Sequence, residues 1–223
     1  MDIVKTTLAL QFSEAFRPWL DLRSVIRLLS ENQTAEIQGQ PVVVTRGKKQ
    51  ERITFQARGI SLEQEAVKSV GSDYATSLVL LNQIDNVFGL PAISQVRHDV
   101  IAIEPFPVPF YELVTLLKRL YIQPSPIFAS ADDIGLSFDE HQGDTVKHVQ
   151  IGPMIPEQLR STYLAFSNDK LPDQFVFISL GYEDNHYAEY DAGRVRQCLE
   201  AAATWQRQQL QTISSEVHES GGI

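Results

Sequence analysis

Cysteine is nearly missing from this chain: Cys198 is alone among 223 residues. One thiol cannot close an intrachain disulfide, so the fold must be held by a core, and a chain of this length can build one without staples. Long apolar runs are missing as well. Ser77–Leu81, the longest candidate, falls far short of the roughly 18–20 residues that span a bilayer. The opening MDIVKTTLALQFSEAF has no basic start, no extended apolar stretch and no small-residue cleavage site, so a secretory signal is not expected. A cytoplasmic protein without a membrane partner is the expectation from these absences. Positive charge is scarce too. Nineteen Lys and Arg stand against 28 Asp and Glu, and the net charge of −9 repels nucleic-acid phosphates at long range. The catalytic fingerprints G-x-S-x-G, C-x-x-C and H-E-x-x-H are absent, as are a phosphate loop and G-x-G-x-x-G, so no cofactor is expected.

What is present is ordinary for a globular protein, with 43% hydrophobic and 21% charged residues. A recurring pattern organises it: a β-like run leads into an amphipathic helix at Thr6–Ser30, Asp99–Tyr121 and Gln174–Leu210. Thr6–Phe12 reads as a strand, and Trp19, Leu22, Val25, Ile26 and Leu29 follow at helical spacing. Pro41–Arg46 and Glu51–Arg58 are β-like around a Gly47–Gln50 loop. Ser61–Val70 fits helix or strand. Ser72 or Asp73 can cap a helix running to about Phe88, which Gly89-Leu90-Pro91 would end.

Asp99–Glu104 is a strand candidate, and Pro105, Pro107 and Pro109 enforce an extended connection to a helix over Tyr111–Tyr121. Strands are expected at Ile127–Ala129, Ile134–Phe138 and Thr145–Ile151, with a turn at His141–Asp144. A short helix through Thr162, a strand at Gln174–Leu180, a polar loop at Gly181–His186 and a helix from Tyr187 or Ala188 to about Gln211 complete the order. The expected fold is α+β, a mixed or antiparallel sheet with helices on one face. The element order allows two ferredoxin-like halves, residues 1–95 and 96–213, with a flexible tail at 214–223. No low-complexity linker separates the halves, which favours one continuous domain or two closely packed halves.

Polar residues gather in two places. Asp132, Asp133, Asp139, Glu140, His141, Asp144 and His148 mix imidazole with carboxylate, a chemistry able to bind transition metals, yet their spacing matches no closed metal motif and a solvated hairpin explains them. No metal is expected. Glu183, Asp184, Asn185 and His186 with Glu189 and Asp191 lie between a strand and the last helix, where Asp184 or Asn185 can serve as cap. His98-Asp99 could form a base pair of groups for proton transfer, but neighbouring strand residues point to opposite faces. Cys198 lies on the apolar stripe of the final helix and reads as a buried thiol. The basic run Arg46–Arg52 suits a hairpin tip better than a phosphate site, and any nucleic-acid binding through it would be salt-sensitive. Phe106, Phe110 and Tyr111, held among prolines, are the candidate binding anchors, although large aromatics more often serve a core.

These features predict a non-catalytic interaction or regulatory module that recognises a protein partner through a sheet edge or the Phe106–Tyr111 loop. An edge also allows a homodimer. The alternative is a metal-dependent or small-molecule-processing enzyme using His98, His141, His148, His186, Asp139, Glu183 and Asp184. Three or more of these meeting in one pocket would favour it.

Overall fold

Alternation decides the first strand. In β1 (Asp2–Phe12), Thr6, Leu8, Leu10 and Phe12 are buried while Thr7, Ala9 and Gln11 are not, as a strand with one covered face requires. The computed structural model describes residues 1–16, 42–46, 50–72, 74–125, 128, 130–166 and 171–221. The predicted helix containing Trp19 and Leu29 lies outside these residues, as do Gly47–Lys49 and most of the predicted strand at Ile127–Ala129.

The described strands are β1, β2 (Val42–Arg46), β3 (Glu51–Gln56), β4 (Gly59–Glu65), β5 (Ile93–Pro105), β6 (Leu136–Gln142), β7 (Thr145–Met154) and β8 (Phe175–Asp184). The helices are α1 (Tyr74–Phe88), α2 (Phe110–Tyr121), α3 (Pro156–Thr162) and α4 (Ala192–Gly221). All eight strands form one antiparallel sheet in the order β2-β3-β4-β1-β5-β8-β7-β6. Read outward from the central β1–β5 pair, the order is the same on both sides: first strand, fourth, third, second. A ferredoxin-like plait would place its last strand outside the first. Here β8 lies between β5 and β7, so neither half has that order. The reason is written in β8 itself. Phe175, Val176, Phe177, Ile178 and Leu180 are all buried, and a run apolar on both faces needs an interior position. The expected boundary at residue 95 falls inside β5, where the sheet is continuous.

α1, α2 and α4 cover one face. Leu81 and Ile84 of α1 join Leu10, Phe55, Val96 and Leu199 in one apolar cluster. Leu113 and Leu117 of α2 join Val100, Ile178, Leu180, Leu210 and Val217 in a second. The short α3 departs from the one-face expectation. Its Leu159 packs on the other side of the sheet with Val4, Ile101, Ile103, Phe175 and Phe177. Pro156 opens α3 at a position where a missing N–H costs nothing. α4 also runs past its predicted end. Ile213 and Val217 continue the apolar stripe, Val217 within the 214–223 stretch expected to be a tail, and both are buried. Among the described residues no helix is long and apolar enough to cross a membrane.

Candidate functional site

β6 is an end strand of the sheet, and it forms a tight hairpin with β7. Gln142 pairs with Thr145, leaving Gly143 and Asp144 as the turn. Gly143 takes a φ of +59°, which glycine adopts without a Cβ clash and which matches the twist of a two-residue hairpin. The predicted His141–Asp144 turn is thus shorter than expected, with His141 and Gln142 in the strand. Every β6 residue after Leu136 is exposed.

Phe138 pairs with Val149 and stands 50% exposed on the helix-bearing face. Beside it, Val149, Ile151, Trp205, Ile213 and Tyr121 line a groove of about 300 Å³. Its rim carries Glu140, whose Oε1 accepts from Lys147 Nζ at 3.2 Å, and Glu216, whose Oε2 accepts from the Tyr121 hydroxyl at 2.8 Å. Burial, and then the Glu216 carboxylate, push the Tyr121 phenol well up from its ordinary value of 10.0. The Tyr121 hydroxyl thus remains a donor that holds Glu216 at the rim. Lys147 Nζ lies 6.0 Å from the Trp205 ring centroid.

The open face of the same strands carries a ladder of charge. His148 Nδ1 donates to Asp139 Oδ1 at 2.7 Å. Its Nε2 lies 3.1 Å from Glu183 Oε1, close enough for a charge contact but not aligned as a hydrogen bond. Arg97 donates through a terminal nitrogen to that same Glu183 oxygen at 2.7 Å and through Nε to Asp99 at 2.8 Å. The ladder therefore crosses β6, β7, β8 and β5. Gly181 lies beneath it: a Cβ there would stand 2.7 Å from Asp99 Oδ1 and 3.2 Å from the His148 ring. Asp99 and the flanking Glu183 hold the Arg97 guanidinium above its ordinary value although burial opposes this. Such an arrangement ties four strands in register. Both ring nitrogens of His148 face carboxylates, which leaves no nitrogen directed at an incoming group. Among the described residues, no group of three or more His, Cys, Asp or Glu has the geometry to hold a metal ion.

The other predicted residues are dispersed. His98 and Asp99 sit within β5 and point to opposite faces. His98 is fully buried on the helix side, with Nδ1 2.9 Å from Gln206 Oε1 and its ring edge-on to Tyr74. Gln206 Nε2 donates to the carbonyls of His98 and Leu180 at 3.0 and 3.1 Å. Carbonyls only accept, so the amide NH₂ must face them, Oε1 faces the ring, and His98 Nδ1 carries the hydrogen. This network pins α4 to the sheet.

Glu183 and Asp184 lie in β8, not in the predicted loop. Asp184 instead contacts Arg194, 3.5 Å away, and accepts from the His186 backbone. His186 is exposed, 3.4 Å from Asp144, and His141 is exposed on β6. The cap of α4 is Asp191, whose Oδ1 accepts from Gly193 N at 2.9 Å. Cys198 is buried as expected, and burial pushes its thiol up to about 12.

The proline-flanked aromatics separate. Phe106 is 3% exposed and packs with Leu113 and Val217 in the core, so it is a structural residue and not an accessible anchor. Phe110 is half-buried at the start of α2, and Tyr111 is 67% exposed.

Phe138, Trp205, Arg97 and Gln206 were missed as site residues. Arg97 had a readable signal, since Arg97 and Asp99, two residues apart in β5, share a face with Ile101 and Ile103. Phe138 had none, because an exposed hairpin lacks alternation. No protein-family model matches the sequence, and no curated protein matches it significantly.

Proposed function

We propose that this protein is a non-catalytic interaction module that recognises a partner protein at the β6 edge of its sheet. The observation that carries this reading is an exposed Phe138 on an end strand, beside an apolar groove floored by Trp205 and Val149. An end strand offers unpaired N–H and C=O groups to an added strand, and the groove offers a place for its side chains. The test is site-specific photocrosslinking in the native cells, with a benzophenone side chain placed at Phe138 and, as control, at Val79, which is 57% exposed on α1. Adducts to a defined protein at position 138 and not at position 79 support the reading. Equal or absent adducts at both positions refute it.

The second reading is an enzyme centred on His148, favoured by the meeting of Asp139, His148 and Glu183. Hydrolysis of ester or phosphoester substrates by purified protein, lost in His148→Asn with the fold retained, would support it. Equal turnover by the variant would remove it.

A further inference from the structure

We infer that the ligand of the β6 edge is a cationic, extended polypeptide segment with apolar side chains at alternate positions, an inference that rests on the edge reading above. The first part comes from charge. Residues 132–144, which contain all of β6, carry five acids, Asp132, Asp133, Asp139, Glu140 and Asp144, and neither lysine nor arginine. Asp139 lies on the open face and Glu140 on the groove face, because successive strand residues alternate. A strand added beside β6 therefore meets a carboxylate on either face. Each carboxylate already has one cross-strand contact, to His148 or Lys147, yet their side chains remain 52% and 62% exposed. Lys147, which pairs with Glu140 at the rim, is itself only 15% exposed and lies 6.0 Å from the Trp205 ring centroid, so it leaves most of that carboxylate open. Edge strands commonly use lysine to repel other chains. This edge uses acids, which repel a second copy of the same acidic edge and admit a basic segment.

The second part comes from shape. An added strand lies about 4.8 Å beyond β6, and its side chains point to each face in turn. Those on the helix side fall next to Phe138 and the groove over Trp205 and Ile213. Apolar residues there would cover Phe138, and polar residues would leave it wet. The intervening residues face the Asp139 side, where lysine or arginine completes the match.

The experiment uses three fluorescent seven-residue peptides with valine at every second position and Lys, Gln or Glu between, titrated against the full chain by anisotropy. The lysine peptide is expected to bind at least roughly tenfold more tightly than the glutamine peptide, and to weaken as salt rises from about 50 to about 300 mM. Phe138→Asp should abolish binding, and Asp139→Lys/Glu140→Lys should shift the preference to the glutamate peptide, with circular dichroism confirming that each variant is folded. Equal binding of all three peptides, lost in Phe138→Asp, would overturn the cationic assignment and leave the edge reading standing. Binding of none, or binding indifferent to Phe138→Asp, would overturn both.

Discussion

Replacing Gln206 by leucine should be among the costliest single changes in the interior. The side chain is fully buried and makes three hydrogen bonds, two to strand carbonyls and one to His98. Leucine fills much of the same volume, so the cavity contribution is small and hydrogen bonding dominates. Each lost bond costs about 0.5–1.5 kcal/mol, and a buried donor left without its acceptor costs about 1–3 kcal/mol. The His98 Nδ1 hydrogen loses its 2.9 Å acceptor, and the Tyr74 hydroxyl lies at a weak 3.5 Å. The expected loss is about 2–4 kcal/mol, or roughly 4–16 °C in Tm for a chain of this size. Urea denaturation followed by circular dichroism measures it. His98→Leu/Gln206→Leu replaces both partners with apolar groups and should cost about 1–2 kcal/mol less than the sum of the single changes. A Gln206→Leu protein within about 0.5 kcal/mol of the parent, or a strictly additive double variant, would refute the assigned network.

Three further outcomes follow from the same structure. Gly181→Ala should displace Asp99 and His148 and cost about 1–2 kcal/mol, read from the urea midpoint; an unchanged midpoint would mean the ladder shifts freely. Glu65 is buried and accepts from the backbone of Ala165 and Phe166, and burial raises its carboxyl above the ordinary 4.5. The folded state then binds its proton more tightly than the unfolded state. This group's contribution is fully present below about pH 4.5 and is lost as pH rises through the elevated folded value, so Glu65→Gln should flatten that part of the stability–pH curve. A curve identical to the parent's would count against it. Cys198, with its thiol pushed up to about 12, should resist alkylation at neutral pH in the folded protein and react promptly in denaturant; equal rates would contradict its burial.

Much of the architecture was legible in the residues, for identifiable reasons. The alternation of β1, the doubly apolar run of β8 and the broad stripe of α2 each specify an element through the period of its buried side chains. The opposed directions of His98 and Asp99 follow from the same rule. The misreadings are equally physical. Gly181 and the acids after it resemble a loop, but the glycine is small because Asp99 and His148 lean over it, and Glu183 belongs to a ladder with Arg97 while Asp184 contacts Arg194. Phe106 sits among prolines like a contact loop, yet its ring folds back beneath α2 and α4. The expected tail at 214–223 reads as polar until Val217 is seen to extend the stripe of Leu210 and Ile213. The β6 edge was the least legible of all. The expected strand at Ile134–Phe138 overlaps β6 only at Leu136–Phe138, because beyond Phe138 a strand with both faces wet has no hydrophobic period and its pairing with β7 defines it.

The thirty-residue span of α4 has a consequence for how the molecule comes apart. Val195 and Leu199 near its start are embedded in one apolar cluster, while Leu210, Ile213 and Val217 near its end are embedded in the other. Neither reservoir of buried surface can be wetted without loosening a rod that also roofs its neighbour. Amide exchange should therefore report matched protection for slow protons of β3 and β8, although these strands lie on opposite sides of the midline. With the long helix as keystone, melting is expected to be a single concerted event, and protection that differs between the two sides would contradict it.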